Sequence, residues 1–309
     1  MIRVLDNAAL PDALRRGVAA IGNFDGFHLG HRAVVGHAMA RARDAGVAAL
    51  VISFDPHPVR LFRPAAAPFM LASLEQKLES FADFGVDAAV VLAFDAGFAA
   101  LSADEFVRDV LAGRLGLSGV VTGTDFTFGR AAAGNTALLA TLGRELSFRA
   151  ETVEPVRDEG GVIVSSTRIR AALQAGHCRE AERLMGRPFA IRGTVEHGDK
   201  RGRSIGVPTA NVALGDYVRP AYGVYAVRCK IGDRLVDGVA NLGVRPMFEP
   251  PKELLEVHLF DFADDLYGRV IDAELVRYLR PELKLSDLDA LKAQIAVDID
   301  AARAALAAP

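Results

Sequence analysis

Three glycines and two histidines stand together where an apolar run gives way to a helical pattern. The segment Gly22–His31 reads GNFDGFHLGH and directly follows the run Val18–Ile21. Glycine lets a backbone approach a phosphate closely, and the free N–H groups at a helix start attract anions. His28 and His31 add hydrogen-bond donors that can carry charge near neutral pH. The segment is therefore typical of a phosphate-binding turn between a strand and a helix.

A metal site is the alternative interpretation of the same two histidines, because a spacing of three places both on one face of a helix. Zinc sites use three or four ligands, with acidic or thiolate side chains among them. Asp25 is near, whereas no cysteine is. The glycine-rich setting favours phosphate. The P-loop and the G-x-G-x-x-G fingerprint are both missing from the first half, which disfavours an ordinary kinase or dehydrogenase there.

Two more stretches follow predicted strands directly. In Phe54–Pro58, two prolines stop both strand and helix, so His57 is expected on a rigid loop. In Gly123–Gly129, Phe126 and Phe128 share one side if the chain is extended. Their rings could stack on a flat heterocycle or simply plug the end of the sheet, and the pattern leaves both interpretations open.

The stretch Ser165–Arg170 reads SSTRIR and follows a predicted strand, Val162–Val164. Ser165 or Ser166 is a good helix N-cap. Hydroxyl groups and two arginines at a helix start suit a polyphosphate. A capped helix with solvated arginines is the alternative, and the stretch taken alone favours it.

In the second half, glycines alternate with basic residues in the segment His197–Asn211. Such a loop could embrace a phosphate or could be an ordinary surface loop, and its composition leaves both open. Thr209 and Asn211 are two residues apart, so in an extended chain their oxygens can reach one Mg²⁺ ion. Glu256 alternates with Leu255 and Val257, a pattern that fits a solvated strand residue equally well.

The elements that must position these side chains differ between the two halves. Up to about Gly186, near-continuous apolar strands alternate with helices, which predicts a parallel, doubly wound α/β sheet with ligands at its carboxyl edge. The predicted strands are Val18–Gly22, Ala48–Phe54, Ala88–Phe94 and Gly119–Gly123, and the predicted helices are Gly30–Ala45, Ser73–Phe84 and Ser102–Leu111. The last helix begins with a capping-box pattern, Ser102 to Glu105.

After a short helix, His177–Met185, and Pro188, strands follow one another without helices, which predicts an antiparallel β-barrel. These strands are Phe189–Glu196, Gly223–Ile231, Leu235–Leu242, Leu254–Phe260 and Val270–Tyr278. A last helix, Ser286–Leu306, is expected to cover the barrel with Leu288, Leu291, Ile295 and Ile299.

Composition bounds the class of protein. The chain has 309 residues, 51% hydrophobic and 24% charged, which suits two globular domains. A net charge of -3 gives no electrostatic footprint for nucleic acid. Cys178 and Cys229 are expected as buried, reduced thiols. Without a secretory leader or a membrane-length apolar run, the expectation is a soluble cytoplasmic protein that binds small molecules, with weak self-association left open.

The first-half segments, taken together, resemble the motifs of prokaryotic bifunctional riboflavin kinase/FAD synthetases, in the same order. Gly22–His31, Phe54–Pro58, Gly123–Gly129 and Ser165–Arg170 carry the likeness. Thr127 stands where that family usually has a basic residue. The resemblance implies a Rossmann-like nucleotidylyltransferase domain over residues 1–186 that joins FMN to the AMP part of ATP.

The second half resembles the riboflavin kinase module of the same family. The likeness lies in the loop before Asn211, in Gly223–Ala226, in Asn241–Pro246 and in Leu255–Phe262. Met247 and Leu285 depart from the usual Thr and Phe. The resemblance implies a kinase β-barrel over residues 187–309 that converts riboflavin to FMN.

The same resemblance implies a role for each matching residue. His28 and His31 would act on the adenylyl phosphates, Glu256 would be the base of the kinase, and Mg²⁺ with ATP would lie at Thr209 and Asn211. The adenylyltransferase ATP site would comprise Gly22, Asn23, Phe24, Asp25, Gly26, Gly30, Ser165, Ser166, Thr167 and Arg168. The kinase ATP site would comprise Gly193, Gly198, Lys200, Gly202, Gly206, Pro208, Thr209 and Asn211, and the flavin contacts would be Phe62, Asp125, Phe126 and Phe128.

The predicted activity is therefore the ATP-dependent synthesis of FMN from riboflavin and of FAD from FMN. Two alternatives stay open from the sequence. One is an enzyme that retains only one of the two activities. The other is a flavin- or nucleotide-binding regulator without turnover, although a regulator has no need of the base Glu256 or of Thr209 and Asn211.

Overall fold

A computed structural model describes residues 1–5, 8–196, 207–245 and 252–308. Contacts divide the chain into two compact units. The first unit comprises Met1–Ala67 and Leu74–Ser165, and the second comprises Pro68–Ser73 and Ser166–Pro309.

The first unit is built on a parallel sheet of six strands. Its strands are β1 (Ile2–Val4), β2 (Val18–Ile21), β3 (Ala49–Asp55), β4 (Ala88–Ala93), β5 (Gly119–Gly123) and β8 (Arg149–Val153). They are ordered β1-β4-β3-β2-β5-β8, and every neighbouring pair is parallel. A short antiparallel pair, β6 (Thr127–Phe128) and β7 (Gly134–Asn135), lies apart from this sheet.

Helices cover both faces of the sheet, as the alternation in the sequence predicts. They are α1 (Leu29–Ala45), α2 (Pro58–Phe62), α3 (Leu74–Asp83), α4 (Ala96–Ala100), α5 (Ala103–Glu105, continued as a π-helix over Phe106–Arg114) and α6 (Thr136–Glu145). Successive residues of β2 enter opposite cores: Ala19 and Ile21 pack toward the π-helix and α6, whereas Val18 and Ala20 pack toward α1 and α3. The doubly wound α/β prediction is confirmed.

Strand order places the polar segments at one edge. The chain moves from β2 to β3 and β4 on one side, and then returns to β5 on the other side of β2. Open α/β sheets bind ligands at the carboxyl ends of strands beside such a reversal. The segments Gly22–His31 and Gly123–Gly129 leave β2 and β5 at this edge.

The capping box that the sequence predicts is present at the start of α5. The Ser102 hydroxyl accepts a hydrogen bond from the Glu105 N–H at 3.2 Å, and the Glu105 carboxylate accepts one from the Ser102 N–H at 2.7 Å. These reciprocal bonds satisfy two donors that a helix start otherwise leaves unpaired.

The prediction of a strand over Val162–Val164 is wrong. Only Ile163 forms a bridge, to Arg157, and Val162 and Ile163 are 52% and 39% exposed. A tight turn at Asp158–Gly161 folds the chain back on itself, so the run pairs locally and does not join the sheet.

The second unit contains a closed antiparallel barrel. Two helices precede it, α7 (Ser166–Gln174) and α8 (Cys178–Met185), and α8 ends at Gly186 in the left-handed conformation. The barrel strands are β9 (Phe189–Glu196), β10 (Ala210–Ala213), β11 (Gly223–Ile231), β12 (Arg234–Arg245), β13 (Lys252–Leu259) and β14 (Val270–Arg280), closed in the order β10-β13-β12-β11-β14-β9. The barrel prediction is confirmed.

The terminal helix α9 (Leu288–Ala307) covers the barrel, but only through the second half of the predicted stripe, where Ile299 packs against the barrel. Leu288 and Leu291 are 53% and 36% exposed. The contact comes instead from the second half of the helix, where Ala302 and Leu306 pack with Val224 and other barrel residues. The predicted stripe is therefore wrong in its first half, because the apolar cluster that joins α9 to the barrel includes helix residues only from Ile299 onward.

No helix in the described ranges combines the length and the apolar character needed to span a bilayer. Cys178 and Cys229 are both buried free thiols, as predicted. Burial raises the pKa of each thiol to about 12, so neither is a reactive thiolate at neutral pH.

An ion pair fixes α9 on the barrel, and it gives a test of this packing. The Asp298 carboxylate accepts two hydrogen bonds from the Arg280 guanidinium, at 2.7 and 2.6 Å, and Asp298 is 6% exposed. Asp298→Ala should lower the free energy of unfolding by about 3 kcal/mol, because the Arg280 charge would lose its partner. Urea denaturation measures this change. Asp300→Ala, at an exposed position on the same helix, is the control, and equal effects of the two variants would contradict the packing.

Candidate active sites

His28 is the N-cap of α1, and this role fixes its ring. Its Nδ1 accepts hydrogen bonds from the N–H groups of Gly30 and His31, at 3.1 and 3.4 Å. Backbone N–H groups can only donate, so Nδ1 must be the unprotonated nitrogen. In the neutral ring the proton therefore lies on Nε2, which becomes a hydrogen-bond donor.

The structure brings the two predicted histidines together. The rings of His28 and His31 are stacked with centroids 3.5 Å apart, and Phe24 meets the edge of His31 at 5.3 Å. Gly30 makes this stacking possible, because a Cβ there would lie 3.0 Å from the His28 ring and 3.4 Å from the Val164 carbonyl oxygen. Val164, which directly precedes Ser165, therefore also lies beside the histidine segment.

The loop between β2 and α1 has an unusual backbone. Phe24, Gly26 and Phe27 all have positive φ angles, of 49°, 81° and 43°. Aromatic residues rarely adopt this region, so other contacts must hold the conformation. Both phenylalanine rings are buried and meet Phe81 of α3 edge-on, at 5.9 and 5.0 Å. Aromatic packing thus anchors a strained turn.

Sequence reasoning missed a buried polar cluster beneath the same loop. Lys77 is 1% exposed, and its ammonium donates to the Asn23 carbonyl and to the Ser53 hydroxyl, both at 3.4 Å. Asp25, 2% exposed, also lies near this lysine. One signal was available in the sequence. Lys77 is the only lysine in the first 199 residues, and all the other residues there with a permanent positive charge are arginines.

His57 repeats the arrangement of His28. It is the N-cap of α2, and its Nδ1 accepts a hydrogen bond from the Val59 N–H at 3.2 Å. Its half-buried ring therefore also carries the proton on Nε2 when it is neutral. His57 follows β3 as predicted, but the expectation that the prolines stop a helix is wrong, because α2 begins at Pro58 and the first turn of a helix tolerates proline.

The aromatic residues predicted to contact a flavin differ in their surroundings. Phe126 and Phe128 are stacked at 5.5 Å, but Phe128 is 7% exposed and packs in the core against Phe106. Phe62 is 65% exposed and meets the edge of Phe94. Phe128 thus closes the end of the core, while Phe62 and the half-buried Phe126 leave ring surface accessible.

Ser165 and Ser166 fall on different sides of the division into units. Ser165 is the last residue of the first unit, and α7 begins at Ser166 in the second. Within the second unit, the Arg168 guanidinium donates to the Glu180 carboxylate at 3.0 and 3.3 Å. The ion pair orients the Arg168 side chain, so this arginine is not simply solvated.

In the barrel, strand register assembles a row of polar residues. Asn211 of β10 is opposite Glu256 of β13 and also opposite Glu196 of β9. Glu256 is in turn opposite Asn241 of β12. Residues directly opposite in antiparallel strands project to the same face, so these side chains lie side by side. Leu255 and the other residues that alternate with this row along the strands are buried on the opposite face.

Hydrogen bonds lie at the Asn241 end of this row and beside its centre. The Asn241 amide donates to the Glu282 carboxylate at 3.2 Å. The Pro208 carbonyl oxygen lies 2.8 Å from His258 Nδ1, which ties the segment before β10 to β13. Thr209 lies between Pro208 and β10 and is half-buried, whereas Asn211 is 9% exposed.

Gly193, predicted at the kinase ATP site, has a packing reason to be glycine. A Cβ there would lie 2.6 Å from the Val212 side chain and 3.1 Å from the Ala213 carbonyl oxygen, so the two strands β9 and β10 could not approach as closely. The predicted positions Gly198, Lys200, Gly202 and Gly206 lie outside the described residues, as do Pro246 and Met247.

Within the described ranges, no group of three or more His, Cys, Asp and Glu side chains is arranged to hold a metal ion by itself. Mg²⁺ does not require such a group, because it usually binds through one or two protein oxygens together with substrate phosphates.

Comparisons with known proteins agree for both units. A family model described as FAD synthetase matches residues 10–168, and one described as riboflavin kinase matches residues 185–306. A relative from Escherichia coli (strain K12), named bifunctional riboflavin kinase/FMN adenylyltransferase, is 43% identical over 300 residues, which cover 96% of this chain and 95% of the relative. A relative of the same name from Pseudomonas fluorescens is 44% identical, and the match covers 94% of this chain and 93% of the relative.

A solved structure has the same fold. It is titled "Crystal Structure of Macrolide-efflux Protein from Streptococcus pneumoniae", and it matches with a TM-score of 0.86 and 30% sequence identity. The match covers 98% of this chain and 99% of that chain.

The cap geometry predicts how substitutions at His28 affect stability. His28→Ala should lower the free energy of unfolding by about 1 kcal/mol, because two N–H groups of α1 lose their acceptor. His28→Asn should restore most of that loss, since asparagine is a good N-cap. Thermal or urea unfolding of both variants tests this order. A His28→Asn variant no more stable than His28→Ala would contradict the capping role.

Proposed function

This chain belongs to the family of bifunctional riboflavin kinase/FMN adenylyltransferases, and we propose how its residues divide the two reactions. It phosphorylates riboflavin to FMN and adenylylates FMN to FAD, with ATP as cosubstrate of both steps. We assign FAD formation to residues 1–186, with His28 and His31 at its centre. We assign FMN formation to residues 187–309, with Glu256 and Asn211 at its centre.

In FAD formation, a phosphate oxygen of FMN attacks the α-phosphorus of ATP, and the bond from that phosphorus to pyrophosphate breaks. The second pKa of a phosphate monoester is about 6, so the nucleophile is already largely ionised at neutral pH and needs no protein base. The site must align two anions and stabilise the charge that develops on the phosphoryl oxygens.

The N-cap geometry of His28 is the observation that carries this assignment. Because its Nδ1 accepts from α1, the ring can offer only its Nε2–H to a ligand. The stacked His31 ring and the positive end of α1 add to the same anion-attracting surface. We propose that His28 and His31 act on the adenylyl phosphates. We also propose that Ser166 and Arg168 act on the departing pyrophosphate, and this second assignment is supported by the sequence motif alone.

Further roles follow from the same proposal. Gly22, Asn23, Phe24, Asp25, Gly26 and Gly30 form the ATP loop, with Ser165 and Thr167 beside the pyrophosphate. Phe62 and Phe126 offer ring surface to the flavin, and Asp125 lies at the same loop, exposed and next to Gly123. Phe128 supports Phe126 from the core, so its part in flavin contact is indirect.

In FMN formation, the nucleophile is the 5′-hydroxyl of riboflavin, whose pKa is far above neutral pH. A carboxylate that accepts its proton helps the oxygen to attack the γ-phosphorus of ATP while the bond to ADP breaks. We propose Glu256 for this role. Its support is its place in the strand register, directly opposite Asn211 of β10 and Asn241 of β12.

Thr209 and Asn211 fit a hard cation, because they present neutral oxygens two residues apart, beside the carboxylates of Glu196 and Glu256. We propose that they hold Mg²⁺ together with the phosphates of ATP. Bound there, Mg²⁺ would neutralise phosphate charge. Gly193 and Pro208 would shape the same ATP site, with Gly198, Lys200, Gly202 and Gly206 as sequence-based members.

We also propose a cytoplasmic location and small molecules as the principal partners. Support comes from the ATP dependence of both steps and from two buried free thiols, which suit a reducing compartment. A net charge of -3 gives no reason to expect a nucleic-acid partner. Weak self-association remains compatible with this proposal.

His28→Asn tests the adenylyltransferase assignment, because it keeps a capping acceptor but removes the ring donor. It should lower FAD formation from FMN and ATP by at least about 10²-fold, as the loss of one oxyanion donor does. FMN formation from riboflavin by the same protein should be unchanged and serves as the internal control. FAD formation at the parental rate would discard the role of His28.

Glu256→Gln tests the kinase assignment. It keeps the size of the side chain and removes the proton acceptor, so FMN formation should fall by roughly 10²-fold or more. FAD formation from supplied FMN should stay at the parental rate. Chromatography of the flavins after timed incubations measures both steps, and near-normal FMN formation would remove Glu256 from the role of base.

A further inference from the structure

Lys77 is a buried cation that the reaction scheme above does not use. It is 1% exposed and lies on α3, beneath the loop that joins β2 to α1. A fully buried lysine is rare, because taking an ammonium out of water is costly unless polar partners surround it. Its environment therefore indicates what it does.

The partners of Lys77 converge on one backbone carbonyl. Lys77 Nζ lies 3.4 Å from the Asn23 oxygen and 3.4 Å from the Ser53 hydroxyl. The Ser53 hydroxyl itself donates to the same Asn23 oxygen at 3.2 Å. Ser53 is 1% exposed, so both donors act from the buried side of the loop.

Holding this carbonyl sets the direction of the next N–H group. The peptide bond between Asn23 and Phe24 is trans, so its C=O and N–H point in opposite directions. With the oxygen fixed toward Lys77, the Phe24 N–H points away from the lysine. Among the described residues, no backbone carbonyl accepts a hydrogen bond from this N–H. The positive φ of Phe24, 49°, is part of the same arrangement.

Charge also stabilises this position of the ammonium. Burial lowers the pKa of Lys77, while the carboxylates of Asp25 and Asp55 act in the opposite direction. Two anions thus favour the charged form of a side chain that its surroundings would otherwise neutralise. A charged donor makes stronger hydrogen bonds than a neutral one.

We propose that Lys77 is a positioning residue for FAD formation: with Ser53 it anchors the Asn23 carbonyl, so that the Phe24 N–H is presented to the phosphates of ATP. This proposal rests on the assignment of the His28 site to adenylyl transfer. It explains why lysine stands here in a region that otherwise uses arginine, since a compact ammonium fits between two oxygens where a planar guanidinium would not.

The first test is Lys77→Met in the full-length chain, because methionine keeps much of the volume and removes the donor. We expect kcat for FAD formation to fall roughly 10²-fold per folded molecule, the cost of losing one aligned backbone donor. The KM values for ATP and FMN should change much less than kcat. FMN formation by the same molecules should be unchanged.

Ser53→Ala is the second variant, and it keeps the proposal testable if Lys77→Met does not fold. It removes the other donor to the Asn23 oxygen, and kcat for FAD formation should fall roughly fivefold. The double variant should lose less than the product of the two single losses, because both side chains hold one carbonyl. A lysine that only stabilises the fold would show neither the kcat loss per folded molecule nor this coupling.

Glu75→Gln is the matched control, at an exposed position on the same helix, where the surface pair with Arg3 contributes little. It should leave both activities unchanged. A folded Lys77→Met variant with parental kcat would overturn the proposal, as would parental kcat for Ser53→Ala. If His28→Asn abolishes FAD formation while Lys77→Met and Ser53→Ala keep it, only the positioning role of Lys77 is rejected. If His28→Asn keeps FAD formation, the assignment of the site is rejected first.

Discussion

The candidate site of the first unit depends on the two hydrogen bonds that the Nδ1 atom of His28 accepts at the start of α1. A helix start leaves N–H groups without partners, and most proteins satisfy them with a serine or aspartate oxygen. Here an imidazole does so, which fixes the ring and selects its tautomer. The stacking of His31 and the need for glycine at position 30 follow from the same geometry. His57 repeats the device at α2.

The second unit reaches a comparable arrangement by a different physical route. Its candidate residues do not come from strand ends and helix starts, but from strand register, which places Glu196, Asn211, Glu256 and Asn241 in one row. The two constructions suit the two nucleophiles. A phosphate is ionised without help and needs aligned donors, whereas an alcohol needs a proton acceptor beside it.

The features that could be predicted from the sequence are those with a strong local pattern. Apolar runs identified β2 to β5, and the Ser102 capping box is formed as expected. The run Val162–Val164 has the composition of a strand, but a turn at Asp158–Gly161 decides its pairing. Leu288 and Leu291 follow the helical period of α9 without facing the barrel, because periodicity does not say how far the partner surface extends. Lys77 was missed because a single lysine on an amphipathic helix looks solvated. Its burial results from packing beneath a loop whose contact residue, Asn23, is 54 residues away in sequence.

The central claim is that the helix cap holds His28 as the tautomer with its proton on Nε2. Nitrogen-15 NMR of histidine-labelled protein reports the tautomer directly, since protonated and unprotonated ring nitrogens resonate far apart, and the His28→Asn spectrum identifies the signals. We expect an unprotonated Nδ1 and a protonated Nε2 for His28 at a pH where the ring is neutral. A protonated Nδ1 would contradict it, because that nitrogen could not then accept from Gly30 and His31.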